Sequence, residues 1–230
     1  MVTYLQSPKG GKWPKSRPSE MPGGSGRGVH ADRLWCHYWR MPKKLRLTGD
    51  AEADRLLSED PFALLTGMLL DQQIAMETAF AGPKKIADRM DGFDVRKIAE
   101  ADLDEFVELC VRPPAIHRYG GSMGRRVHAL ANHIVEHYDG KADRIWKQGK
   151  PDGKEVLRRL KELPGYGDQK ARIFLALLGK QRGVQPEGWR EAAGAYGEDG
   201  SHRSIADVVS PESLAEVRAF KKAAKAAAKK

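Results

Sequence analysis

Residues Leu163 to Phe174, LPGYGDQKARIF, set two glycines and a proline between two apolar patterns. Gly165 and Gly167 permit a tight turn with positive φ. Lacking Cβ atoms, they also let the backbone N–H groups that open the next helix approach an anion closely. Phosphate is the ligand such an arrangement suits, with Lys170 and Arg172 adding positive charge beside it and Asp168 opposing it. Tyr166 at the tip either packs against a ligand or plugs the turn. A glycine-bearing turn alone is a common helix connection; the full string with its two apolar helices is far more specific. A second set is the amide pair Gln72 and Gln73, which interrupts the apolar run LLDQQIAM and either faces a ligand or bonds a neighbouring backbone. A third is the basic run around PPAIHRYGGSMGRR, where Arg112, Arg118, Arg125 and Arg126 stand with His117 and His128. It is a phosphate-binding candidate or a solvated charged surface. His133 and His137 are spaced i, i+4 without a third ligand, so a metal reading is rejected.

The elements that must position these groups read as helices. Asp60 with Pro61 is an N-cap followed by proline at the first helical position, and it predicts a long apolar helix through Phe80. Short amphipathic segments follow at Pro83 to Met90, Val95 to Ala99 and Leu103 to Cys110. Ser122 is expected to cap a helix whose Val127, Leu130, Ala131, Ile134, Val135 and Tyr138 share one face. Gly153 to Leu163 and Asp168 to Leu178 are the helices flanking the glycine turn, and Ser210 with Pro211 begins the last helix. No convincing β run and no internal repeat is present. The fold expected is all-α, built from short helices.

The formal charge of +9 suggests a polyanionic partner, but its distribution is uneven. Residues 1–46 carry +8 and residues 218–230 carry +6, which leaves −5 for 47–217. The acidic middle must therefore rely on local patches and on its motif. Residues 1–46 show no apolar period and read as a basic disordered extension; Met41 directly precedes the first patterned helix and is an alternative start. Residues 47–217 form the domain, and 218–230 are a Lys/Ala-rich helix-compatible tail expected to fray. Cys36 and Cys110 are too few for a disulfide scaffold, a four-cysteine iron-sulfur cluster or a cysteine-based zinc site, which fits a reducing cytosol. No window offers the ~20 consecutive apolar residues a membrane span needs, and no apolar segment follows the early charges as in a signal peptide.

Three stretches in order resemble the helix-hairpin-helix DNA glycosylases of the endonuclease III superfamily: MLLDQQIAMETA (Met68 to Ala79), SMGRRVHALA from Ser122, and LPGYGDQKARIF. Together they span roughly residues 50 to 217. The resemblance implies two helical lobes with DNA bent across the cleft between them. It also implies a monomer whose partner is duplex DNA, in the cytoplasm at the nucleoid, with no obligate protein partner. It implies no iron-sulfur cluster and no other cofactor, and leaves open a monovalent cation at the hairpin. Gly165, Tyr166, Gly167 and Lys170 would then grip the backbone, joined by Arg118, Arg125 and Arg126. Gln73 with Gln72 would fill the gap left by an everted base.

For chemistry, Gln169 stands where strand-cleaving members carry the lysine that forms a Schiff base. Lys170 is turned by ~100° from that place, so a monofunctional glycosylase using water is expected. The family's aspartate, which stabilises positive charge developing on the sugar, would fall on Gly188. Glu187 beside it is the catalytic candidate and Asp168 a second; each is equally readable as a charged residue at a helix start. Trp189 and Tyr196 either stack on a base or lie in the core, with core expected for at least one. The rival from another class is a non-catalytic DNA-binding protein lacking the carboxylate; a helical protein-interaction domain is more remote. The sequence does not name the base removed.

Overall fold

The computed structural model describes residues 44–227, so the readings of residues 1–43 and 228–230, Cys36 and Met41 included, lie outside the described residues. The described chain is helical and, among those residues, holds no strand. It enters the core earlier than the expected boundary at 47. Leu45 and Leu47 are each 1% exposed, and their N–H groups donate to Ser58 Oγ and Asp54 Oδ1 at 2.9 Å.

Aspartates write the first helices. Asp50 caps α1 (Ala51–Glu59), accepting from the N–H groups of Glu52 and Ala53. Asp60 ends α1 and caps α2 (Pro61–Leu70), accepting from Phe62 N–H at 2.7 Å. Every residue of α2 after Pro61 is buried. The expected continuous helix to Phe80 is therefore broken: a helix apolar on all sides has no polar face on which to carry Asp71, Gln72 and Gln73. The chain bends instead, with Gln73 left-handed at φ 56°, and resumes as α3 (Met76–Phe80) and α4 (Gly82–Ala87).

Asp94 and Asp102 cap α5 (Val95–Glu100) and α6 (Leu103–Val111), which both pack on α7 (Gly120–Tyr138). Val127, Leu130, Ala131 and Ile134 bury the expected face of α7. Its N-cap, however, is Tyr119, so Ser122 lies inside the first turn rather than before it. After α8 (Arg144–Lys147), α9 (Gly153–Lys161) and α10 (Asp168–Gln181) form the hairpin, and both pack against α11 (Trp189–Ala193). Two 3₁₀ turns, Gly194–Tyr196 and Ile205–Asp207, lead to α12 (Pro211–Ala227). The stretch expected to be a separate fraying tail from 218 is the second half of α12. Val217 is buried, and Arg218 pairs with Glu77 of α3, which ties this helix back onto the fold.

Candidate nucleic-acid interface and cleft

At the hairpin, Gly165 takes φ 80°, and a Cβ there would collide with the Leu69 side chain of α2. Gly167 is extended and caps α10 without any side-chain hydrogen bond, and an added Cβ there would meet nothing within 4 Å. The first turn of α10 thus begins in the open, its leading amides without a capping side chain. Asp168 is held by Lys161 at 3.0 Å and Arg172 at 2.7 Å, which keep its carboxyl below the usual range. It is exposed and does not line the cleft described below. Of the two readings of Tyr166, the structure shows the plug. It is 5% exposed, lies edge-on to Phe174, and donates its hydroxyl proton to Leu65 C=O at 2.7 Å, because a ring at this turn fills the space between α2 and α10.

The bend after α2 is locked from two sides. His117, 3% exposed, accepts Tyr119 N–H on Nδ1 at 3.0 Å, so its ring proton sits on Nε2 and is donated to Gln72 C=O at 2.9 Å. Gln72 donates Nε2 to Leu69 C=O at 3.0 Å, while its Oε1 accepts from Arg126 at 3.3 Å. Both ends of the Gln72 amide are therefore engaged within the fold, while Gln73 is the exposed amide of the bend. The basic run divides. Arg126 reaches the bend, Arg125 pairs with Asp104 at 3.1 Å, and Arg118 stands exposed over the Tyr119 ring at 4.7 Å. His117 and His128, the latter bonded to Ala101 C=O, work inside the fold rather than on its surface.

Between the bend and the hairpin opens a cleft of about 580 Å³. α2 supplies Met68, the bend supplies Asp71, Gln73 and Ile74, and α10 supplies Gln169, Lys170 and Ile173. Ala195, Tyr196 and Arg203 form a further wall, and α12 closes it with Phe220, Lys221 and Ala224. Contrary to expectation, Gln169 and Lys170 face the same cavity, which is wide enough to take in a ~100° sector of helix. Gln169 donates to the Tyr196 hydroxyl at 2.9 Å. Lys170 Nζ donates to Leu69 C=O at 2.7 Å; burial lowers its pKa to about 8, against the pull of Asp71 and with a further push from Arg126. Burial raises the Asp71 carboxyl above its ordinary value, with Lys221 and Lys170 opposing.

Glu187 is not brought here. It is exposed just before α11, and its backbone carbonyl accepts Gly153 N–H at 2.7 Å, tying that segment to the far end of α9. Gly188, where the resemblance puts an aspartate, is the left-handed N-cap of α11 at φ 68°. Of the two aromatics, Trp189 is core at 6% exposure and Tyr196 faces the cleft. Sequence reasoning missed Asp71, Arg203, Phe220 and Lys221. A carboxylate ending a wholly apolar helix was a signal for Asp71. For the other three, which arrive from distant segments, no local signal existed.

Residues 66–227 match the family model described as HhH-GPD superfamily base excision DNA repair protein. The matched span contains the bend, the hairpin and the cleft wall from α12. Comparisons with curated proteins and with solved structures each find no match. Among the described residues no helix is long and apolar enough to cross a membrane.

Proposed function

The chain belongs to the HhH-GPD superfamily of base excision DNA repair proteins, and from that premise we propose that it is a DNA glycosylase hydrolysing the N-glycosidic bond of a damaged or mismatched base. The observation that carries this reading is Asp71 and Lys170 facing one cleft between the Gln73 bend and the hairpin. The backbone amides at Gly167 and the start of α10 hold a phosphate of the duplex, assisted by Arg126. The target nucleotide swings into the cleft, and Gln73 occupies the vacated place in the stack. As the glycosidic bond breaks, its electron pair leaves with the base and positive charge develops on the sugar. The Asp71 carboxylate, rather than Glu187, stabilises that charge. Water then adds to the anomeric carbon and loses a proton, leaving an abasic site.

A second reading rests on a specific observation, the depressed Lys170 amine within the cleft. Addition of its nitrogen to the sugar carbon would displace the base and form a Schiff base, giving strand cleavage. One experiment separates the two. Duplexes bearing single lesions are incubated with the full chain and scored before and after alkali, with borohydride added to trap any imine. Breaks only after alkali, with no trapped complex, support hydrolysis; breaks without alkali and a trapped complex lost in Lys170→Gln support the lyase. Asp71→Asn is expected to slow base release by ~10²–10³-fold with duplex affinity kept, the magnitude of losing a group that stabilises a charged transition state. The pH profile gives an independent sign. Hydrolysis needs ionised Asp71, so its rate rises through a value above 3.8 and stays level past neutrality. Amine attack needs neutral Lys170, so its rate climbs until about pH 8. Absence of release from every lesion, with tight and salt-sensitive duplex binding, would overturn both readings in favour of a non-catalytic binder.

A further inference from the structure

The charge lining the cleft is one-sided beyond what base removal requires. Among the described residues facing it, Lys170, Arg203 and Lys221 are cationic and Asp71 alone is acidic. Arg203 pairs with Glu198 at 3.6 Å and lies 5.5 Å above the Phe220 ring. The face of Phe220 that would attract a positively charged base therefore already holds a cation. Tyr196 accepts from Gln169, which leaves its own hydroxyl proton to donate. Lys170 uses a proton on Leu69 C=O, and an ammonium carries two more. The polar groups other than Asp71 and the two amides are thus hydrogen-bond donors. A base edge carrying carbonyl oxygens finds partners there. A purine alkylated at a ring nitrogen, which bears a fixed positive charge while attached to DNA, finds three like charges and an aromatic face already covered.

Resting on the glycosylase reading above, we infer that this cleft selects uncharged, carbonyl-bearing bases and rejects cationic N-alkylpurines, with Lys221 of α12 as a specificity-determining residue. Lys221 suits that role because α12 lies outside the hairpin and the bend that grip the duplex. It lines the cleft and is within Coulombic range of Asp71. Changing it alters which base is accepted without touching the grip on DNA.

The test is single-turnover release from matched duplexes containing uracil, 8-oxoguanine, 7-methylguanine or 3-methyladenine, corrected for spontaneous loss. The native chain is compared with Lys221→Gln and Lys221→Glu, and thermal unfolding confirms that each variant is folded. The native chain is expected to release uracil or 8-oxoguanine on the order of a hundredfold faster than either methylpurine. Lys221→Glu is expected to shrink that ratio by roughly tenfold, the effect of reversing one charge a few ångströms from the base, with Lys221→Gln between. Methylpurine release that equals or exceeds release of the neutral bases overturns the inference while leaving the glycosylase reading intact. So does a ratio unmoved by Lys221→Glu. If no base is released from any duplex, the glycosylase reading falls. The inference is then judged on duplexes carrying the same bases on cleavage-resistant 2′-fluoro sugars, where tighter binding of the neutral bases supports it and equal binding overturns it.

Discussion

Two turns follow two helices at opposite sides of one cleft, and they solve the same backbone problem differently. At the hairpin the left-handed residue is Gly165, for which φ 80° is free of Cβ strain, and the close approach of Leu69 requires that absence. At the bend the left-handed residue is Gln73, which bears a cost of order 1 kcal/mol that glycine would avoid. The hairpin presents backbone at its surface, with no capping side chain at the start of α10. The bend needs a side chain at its tip, and the fold supplies external restraint, His117 and Arg126 through Gln72, to keep it there.

The largest effect should come from breaking the glycine side. Gly165→Val, meeting both positive φ and Leu69, is expected to cost ~3 kcal/mol or more of stability and ~100-fold in duplex affinity. Gly167→Ala, at negative φ with open space, should stay within ~0.5 kcal/mol. Thermal unfolding and salt titrations of binding check both; equal losses at the two positions would mean the turn is not set by Gly165. Next is His117→Ala, which strands Gln72 C=O and Tyr119 N–H and should cost ~1–3 kcal/mol. Base release should fall while salt-dependent binding persists, and weakening of binding alone would remove the bend from the eversion step. Smallest in stability is Gln73→Gly, expected to gain ~0.5–1 kcal/mol by relieving the left-handed glutamine. It should nonetheless lower base release, and unchanged release would show that Gln73 is strained without use.

The same contrast explains what the sequence made legible. The hairpin is local: its glycines and proline fall within a few residues and the apolar periods adjoin them directly, so the turn could be read from the sequence. The aspartate cap at 60 and the buried face of α7 were legible for the same reason. The bend was half legible. Its amides stood out, but an apolar run on both sides argued for one long helix, and only the burial of every side of α2 forces the break. Glu187 was chosen as the carboxylate beside the place where the resemblance puts an aspartate, but it lies in an irregular segment after α10, where position along the chain does not fix position in space. Lys170 was set aside by helix angle alone, which ignores the width of the cavity the helix faces. Arg203, Phe220 and Lys221 depended on where α12 would dock, and the Lys/Ala composition at its end resembled that of a solvated tail.

The last wall of the cleft is residues 220–224, while its floor is laid down near residue 70. A ribosome making this chain from its amino end finishes the bend and the hairpin before the residues that close the pocket have emerged. On the glycosylase reading proposed above, a nascent or prematurely ended chain would hold nucleic acid before it could discriminate among bases.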